Sequence, residues 1–497
     1  MVLSGLVWMY LSALVGGVSR LVVLAILARL LSPRDFGLMG IALICTSMAE
    51  RLGQVGVGSA LVQRESIDAD DVVTGAVLSA LCGLVMMTVL WLLAPFVAAL
   101  FREPLVSPLV RVLSLAFFID GLAVTSDALL QRSLGFRSMM VVENASYLLG
   151  IGVVGAGLAM LGLGVWALVA AHVAMRTLRT GLLYWIAPSV PGSGSFNRAR
   201  VRGLLYMGGG FSLGRILNFA SLQGDNFVVG RVLGMEALGF YSRAYQLMAL
   251  PAVYVAQVIE RVLFPVMSKE QGHPERLREA FLSVLEILTL VSLPTGVFLF
   301  FTAPEIVEVL FGSRWSSVVP VLSVLSFGVF FRTAYKCSDT VARSVGAVYR
   351  YALQQGVYAV GILLGSLVGA YVAGTKGVAV GVVAAVALNY LLMTRLSAQL
   401  LMISFGDLLR GHLSGVFVSL CVAGAVLLAR SIARGESLSS LQQRLLMASV
   451  ASVAWALSVC VAARLFPGRA LQAVFTRIPA LSRWRLKRAN VVAAHGS

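Results

Sequence analysis

The sequence predicts an all-α polytopic membrane protein with about fourteen transmembrane helices. Of its 497 residues, 59% are hydrophobic and only 12% are charged, whereas soluble domains carry roughly a quarter charged residues. Apolar runs close to the roughly 20 residues that cross a bilayer recur along the chain, for example at 72–97, 147–169 and 413–428. A water-soluble fold of this size could not bury so much apolar surface.

The basic residues predict the orientation of the chain. Its formal net charge is +17, and arginine and lysine gather in every second loop and in the tail. By the positive-inside rule these loops are cytoplasmic, which places both termini inside the cell. The positive charge is accounted for in this way, and no nucleic-acid partner is expected.

The sequence offers no sign of metal, cofactor or bond chemistry. The five cysteines lie scattered in apolar stretches without a CxxC pair, and the four histidines form no HExxH. There is no P-loop, and every loop is too short to fold as a catalytic domain. We therefore expect no metal site, no cofactor and no enzymatic activity.

An internal repeat predicts the domain organisation. ARLLSPRDFGL (28–38) matches GRVLGMEALGF (230–240) at a constant offset of 202 residues. Each motif links the first two helices of its half, so the halves are expected to be parallel repeats, as in transporters. The predicted parts are a six-helix lobe at 1–187, a cytoplasmic linker at 188–202, a second six-helix lobe at 203–400, an added helix pair at 401–466 and a basic cytoplasmic tail at 467–497.

Cationic side chains inside the apolar spans are the candidate binding residues. Arg332, Lys336, Asp339 and Arg343 are spaced by four, three and four residues, so they share one face of a helix. A charge at the bilayer centre costs at least a few kcal/mol, so such groups are expected to face water or a partner. Guanidinium groups match phosphate oxygens, which favours an anionic substrate. The predicted cavity cations are Arg20, Arg215, Arg243, Arg332 and Lys336.

Carboxylates in the same spans have two possible roles. They could be counter-ions to these cations, or groups that titrate or bind an ion during a transport cycle. The residues concerned are Asp120, Asp127, Asp225 and Asp339. The alternative for all these charges is mutual neutralisation in interhelical salt bridges.

Two stretches resemble a known family. LARLLSPRDFGLMGIALICTSMAERLGQVGVGSALVQRE (27–65) and GDNFVVGRVLGMEALGFYSRAYQLMALPAVYVAQVIERVLFPVMSK (224–269) are similar to polysaccharide transporters of the Wzx/WzxC type. These transporters share a superfamily with MATE exporters and the lipid II flippase. The resemblance covers both half-starts and most of the span pattern up to residue 400. Beyond that point only the hydropathy agrees.

The resemblance implies a flippase in the bacterial inner membrane. Its substrate would be an undecaprenyl-pyrophosphate-linked oligosaccharide repeat unit, moved from the inner to the outer leaflet for exopolysaccharide, capsule or O-antigen export. The mechanism would be alternating access through a cationic central cavity. Implied partners are membrane lipids, the polysaccharide polymerase and the export machinery. Arg20 is the residue that best matches the family's cavity cations. The alternatives are a MATE-type exporter of cations and, less favoured, a membrane enzyme that processes polysaccharide.

Overall fold

The computed structural model describes residues 2–53, 57–64, 66–187, 195–196, 212–251, 274–435 and 440–465. The predicted linker, apart from 195–196, and the predicted basic tail lie outside these ranges. Arg215 stands on a described helix, but its side chain also lies outside the described part.

Helices make up almost all of the described chain. The N-terminal ones are α1 (Val2–Leu30), α2 (Pro33–Gly53), α3 (Val57–Gln63), α4 (Ala69–Phe101), α5 (Val106–Arg132), α6 (Phe136–Tyr147), α7 (Gly155–Met160) and α8 (Val165–Ile186). A π-helical segment, Leu148–Val154, joins α6 to α7. Those that follow are α9 (Ser212–Val228), α10 (235–251), α11 (Pro274–Leu310), α12 (Val318–Ser326), α13 (Gly328–Ser344), α14 (Val348–Leu400), α15 (Phe405–Gly435) and α16 (Ser440–Leu465).

Local capping signals fix where several helices begin. At α2, the Ser32 backbone N–H and hydroxyl both donate to Asp35 Oδ2, at 2.9 and 2.6 Å. Pro33 occupies the first helical position, where its missing N–H costs nothing. At α4, Asp68 accepts a hydrogen bond from the backbone N–H of Asp71. These side chains satisfy amide groups that a helix start leaves without partners.

Six described helical segments are long and apolar enough to cross a membrane. They are Ala69–Phe101, Val106–Arg132, Arg137–Met160, Glu275–Leu310, Tyr349–Leu400 and Phe405–Ile432. The pair α12 and α13, bent by 41°, is a further candidate. The chain is therefore a multi-pass membrane protein. The number of about fourteen spans stays a prediction.

Helix α14 contains two antiparallel arms. Ala373 and Gly374 depart from helical geometry, and Gly374 has φ 58° and ψ −140°. The apolar runs at 350–373 and 376–400 predict two separate spans, and this break falls between them. After it the chain doubles back, and Gly381 packs against the backbone of Gly365.

The chain divides into two compact units. One contains Met1–Ser242 and Val307–Ser316, and the other contains Arg243–Ile306 and Ser317–Ser497. This division falls later than the predicted lobe boundary at 187–203, because α9 packs against α2 inside the first unit. The predicted lobes follow the sequence repeat and stay a prediction.

Candidate functional site

The candidate site residues fall into two groups, each within one compact unit. Arg20, Asp120, Asp127 and Asp225 belong to the first unit, and Arg243, Arg332, Lys336 and Asp339 belong to the second. The side chain of Arg215 is outside the described residues.

In the second unit, α13 presents one cationic face. Arg332 and Lys336 are half-buried, whereas the neighbouring Cys337 and Val341 are buried. Of the four residues predicted to share one face of α13, Arg332, Lys336 and Arg343 are thus partly or fully accessible, whereas Asp339 is buried. We call these four residues the stripe. Within a membrane, this face must meet water or polar partners, because lipid would leave the charges without solvation.

Arg332 lies against an aromatic ring of the neighbouring helix. Its guanidinium carbon is 4.7 Å from the ring centroid of Tyr245 on α10. On the next turn of α13, the Lys336 amino group is 5.3 Å from the ring of Tyr335. Ring faces attract cations of this kind. Arg243, also on α10, is half-buried.

Asp339 pairs within its own helix. Arg343 Nη2 lies 3.3 Å from Asp339 Oδ2, four residues earlier on α13. Asp339 is buried and Arg343 is exposed. Asp339 and Arg343 thus form an ion pair. The stripe as a whole carries three cations and one carboxylate, and the role of Asp339 in transport stays a prediction.

In the first unit, two carboxylates of α5 face two arginines of α8. Arg176 Nη1 lies 2.8 Å from Asp120 Oδ2. Arg179 lies 3.2 Å from Asp127 Oδ1 and, through Nε, 3.2 Å from Glu143 Oε2 on α6. Asp120 and Asp127 thus pair with Arg176 and Arg179 and not with the predicted cavity cations. Their role as counter-ions or coupling groups in transport stays a prediction.

The spacing of these residues in the sequence indicates part of this arrangement. Asp120 and Asp127 are seven residues apart and Arg176 and Arg179 are three apart, so each pair shares a helix face. The two faces meet because α5 packs against α8. Residue spacing does not show which helices pack side by side in the folded protein. For this reason the sequence did not identify Arg179 as a partner of Asp127.

Arg20 is exposed on α1 and lies over an aromatic ring. Its guanidinium carbon is 5.4 Å from the ring centroid of Tyr147, at the end of α6. Tyr147 is one helical turn beyond Glu143. Within the described ranges, no carboxylate lies within ion-pair distance of Arg20. Arg20 thus extends the polar surface of the first unit beyond the α5–α8 pairs.

Asp225 ties α9 to α10. The Tyr241 hydroxyl donates to Asp225 Oδ2 at 2.8 Å, and the Asn226 backbone N–H donates to Oδ1 at 2.8 Å. Asp225 is buried. The bond from Tyr241 joins α9 to α10 across the segment between them. A coupling role for Asp225 stays a prediction.

Comparison with known sequences identifies the family. The profile of a family described as "Polysaccharide biosynthesis protein" matches residues 26–320, which is more than half of the chain. The chain belongs to this family. The match includes the first repeat motif, the α5–α8 pairs and the second repeat motif, and it ends before the stripe of α13.

Two curated relatives are similar over most of the chain. The lipopolysaccharide biosynthesis protein WzxC of Escherichia coli is 26% identical over 324 residues, covering 65% of this chain and 66% of WzxC, just under two thirds of that protein. The succinoglycan biosynthesis transport protein ExoT of Rhizobium meliloti is 29% identical over 361 residues, covering 71% of this chain and 73% of ExoT.

Solved structures show the same fold. The lipid II flippase MurJ in an inward closed conformation matches with a TM-score of 0.73 and 12% identity, over 92% of this chain and 98% of MurJ. An inward-facing MATE transporter matches with a TM-score of 0.64 and 17% identity, over 78% and 94%. At these identities the likeness concerns the fold. It confirms the predicted class of helical architecture.

Proposed function

We propose that this chain is a flippase for lipid-linked oligosaccharides. It would move undecaprenyl-pyrophosphate-linked repeat units across the bacterial inner membrane for exopolysaccharide, capsule or O-antigen export. Membership of the polysaccharide biosynthesis family supports this, as does the likeness to ExoT, whose name describes a transport protein of succinoglycan biosynthesis. Both termini would be cytoplasmic, and the polysaccharide polymerase and export machinery are the expected partners.

The observation that carries the proposal is the cationic face of α13. Arg332 and Lys336 lie one turn apart on a partly accessible side of a helix most of whose residues are buried. Tyr245 holds the Arg332 guanidinium from one face. A diphosphate has oxygens for both cations, and charge-assisted hydrogen bonds to it would offset its lost hydration.

The proposed mechanism moves a head group without making or breaking bonds. The diphosphate and sugars would enter a water-filled path lined by the cations, while the polyprenyl tail stays in lipid. Rocking of the two predicted lobes would then expose the head group to the other side. The driving force would be an ion gradient, the membrane potential or consumption of the product outside.

A second candidate function is export of organic cations, as in MATE transporters. The observation that favours it is a cluster of charges in the first unit: among the described residues, the three carboxylates of Asp120, Asp127 and Glu143 pair with two arginines, Arg176 and Arg179. An exporter of this kind would bind cations at these carboxylates. It would leave the cationic face of α13 without a role, so the flippase is preferred.

Complementation of a flippase deletion strain tests the proposal. Wild type is expected to restore export of the strain's polysaccharide, and Arg20→Ala, Arg332→Ala and Lys336→Ala are expected to reduce it. Arg350→Ala is the matched control, because Arg350 is an exposed cation at the start of α14. Full export with all three variants would reject the site residues. Absence of export with wild type, together with increased resistance to cationic dyes, would favour the exporter.

A further inference from the structure

The two repeat motifs contact each other reciprocally. A β-carbon built on Gly37 would overlap the carbonyl oxygen of Met235, and one built on Gly239 would overlap the carbonyl oxygen of Pro33. At the repeat offset of 202, Gly37 corresponds to Gly239 and Pro33 to Met235. The same contact is therefore made twice, once by each repeat, around a local two-fold axis.

This contact lies at one end of the helices. The first motif contains the turn between α1 and α2, and the second contains the turn between the π-helical segment Val229–Leu233 and α10. The orientation predicted from the basic loops places both turns on the outer side of the membrane. Both motifs, 28–38 and 230–240, belong to the first compact unit.

A third segment of the chain contacts both repeat motifs. We name Val307–Ser316 the strap. It belongs to the first unit, although the chain before and after it belongs to the second. The strap contains the end of α11 and the turn that follows, and it is bound to α1: Arg29 Nη2 donates to the Val309 carbonyl at 2.7 Å.

Trp315 of the strap is inserted among residues of both repeats. Its side chain is fully buried, and its indole N–H donates to the Ala28 carbonyl at 2.8 Å. Its ring centroid lies 5.4 Å from that of Phe36 and 5.8 Å from that of Phe240. Phe36 belongs to the first motif and Phe240 to the second, so one indole is packed edge-to-face against both.

We propose that the glycine pair and Trp315 form the outer closure of the transport path, and that the two motifs separate here when substrate is released. This rests on the proposed function. Gly37 packs on the backbone carbonyl of Met235, and Gly239 packs on that of Pro33. Both contacts are made to backbone atoms, so they can open and form again. Trp315 supplies the buried area and the hydrogen bond that hold it closed.

The geometry predicts which substitutions prevent closure. Any β-carbon at Gly37 or Gly239 would push the motifs apart, because its obstacle is backbone and cannot rotate away. Gly40, one turn further along α2, is the matched control. A β-carbon there would lie 3.6 Å from a methyl group of Leu238, which is an ordinary van der Waals distance.

Thiol labelling from outside the cell tests closure independently of transport. In a variant lacking the native cysteines, Ala28→Cys places the reporter, since Ala28 is buried under Trp315. A membrane-impermeant maleimide is expected to label the reporter slowly. Adding Gly37→Ala, Gly239→Ala or Trp315→Ala is expected to raise the labelling rate about tenfold through a shift toward the open state. Adding Gly40→Ala is expected to leave the rate unchanged.

Each other outcome overturns the proposal. Fast labelling with only the reporter substitution would mean that this end is not closed. Labelling only from the cytoplasmic side would place the contact at the inner end. Unchanged labelling in a folded Gly37→Ala variant would mean that the glycine contact does not control access. If that variant does not fold, Trp315→Phe replaces it as the test. Phenylalanine keeps an aromatic ring but cannot donate the hydrogen bond to the Ala28 carbonyl. An unchanged labelling rate in this variant would then reject the closure.

The proposed closure and the proposed flippase function can be rejected independently of each other. The labelling rates do not depend on which substrate is carried, so a protein that fails to export polysaccharide can still show the expected rates. Conversely, complementation by wild type together with unaltered labelling in Gly37→Ala would reject only the closure.

Discussion

Arg430 Nη2 lies 2.7 Å from Glu305 Oε1 and joins the end of α15 to the end of α11. Toward the other end of the same two helices the charges are reversed, because Arg278 of α11 pairs with Asp407 of α15. Between the two ion pairs, Gly415 packs directly on the backbone of Thr289. α15, the first helix of the pair that the sequence adds after residue 400, is thus attached to α11 at three levels.

Exchanging charges tests this attachment. Glu305→Arg is expected to lower the free energy of unfolding by about 2 kcal/mol, because it places a second positive charge opposite Arg430 in a partly buried position. Arg430→Glu is expected to cost less, and the double variant Glu305→Arg, Arg430→Glu to recover most of the loss. Thermal unfolding of the purified protein in detergent measures these differences. A double variant no more stable than Glu305→Arg alone would contradict the pairing.

The two arginines of α8 are predicted to differ in importance. Arg179→Gln leaves Asp127 and Glu143 facing each other without a cation, whereas Arg176→Gln leaves only Asp120. The first is therefore expected to destabilise the protein by about 2 kcal/mol and the second by about 1 kcal/mol. The same unfolding measurement compares them, with Arg179→Lys as the charge-conserving control. Equal losses would show that Glu143 does not depend on Arg179.

The α5–α8 pairs show how far sequence reasoning reached at the site. The carboxylates Asp120 and Asp127 were recognised because charge inside an apolar run is unusual. Their partners depend on which helices lie side by side, and hydropathy is nearly the same for every span. The stripe on α13 was recognisable because one helix contains it entirely. Tyr245, which lies against Arg332, comes from another helix and was not assigned to that arginine.

The ring of Tyr245 is predicted to matter more than its hydroxyl group. Tyr245→Phe keeps an aromatic face for the Arg332 guanidinium, whereas Tyr245→Leu removes it. Loss of a partly desolvated cation–π contact is worth about 1–2 kcal/mol, so export by the leucine variant is expected to fall several-fold. Export by the phenylalanine variant is expected to stay near wild type. The measurement is polysaccharide yield in the complemented deletion strain at matched protein level. Equal yields from the two variants would remove Tyr245 from the site.

The fold was predictable where a local signal existed. The break near Gly374 was expected between two apolar runs, and the structure places it there, because glycine alone adopts that backbone geometry readily. The contact between the repeat motifs was not predicted, although both motifs were recognised. Their similarity indicates equivalent places in two repeats, and it does not indicate that these places touch.

The two arms of α14 provide a prediction with a control on the same helix. Gly381 faces the backbone of Gly365 so closely that a β-carbon at 381 would overlap the carbonyl group there. Close approach of this kind is how small residues let membrane helices pack. Gly381→Ala is therefore expected to separate the arms and cost about 1–3 kcal/mol.

Gly356 lies in the first arm of the same helix. Apart from the neighbouring backbone of that helix, no atom of the described residues lies within 4 Å of a β-carbon built there. Gly356→Ala is expected to leave stability unchanged or to raise it by up to about 1 kcal/mol, because alanine loses less backbone entropy on folding into a helix. Thermal unfolding of both variants in the same detergent measures the difference. If the two substitutions cost the same, helix propensity and not close packing of the arms determines the effect of glycine in α14.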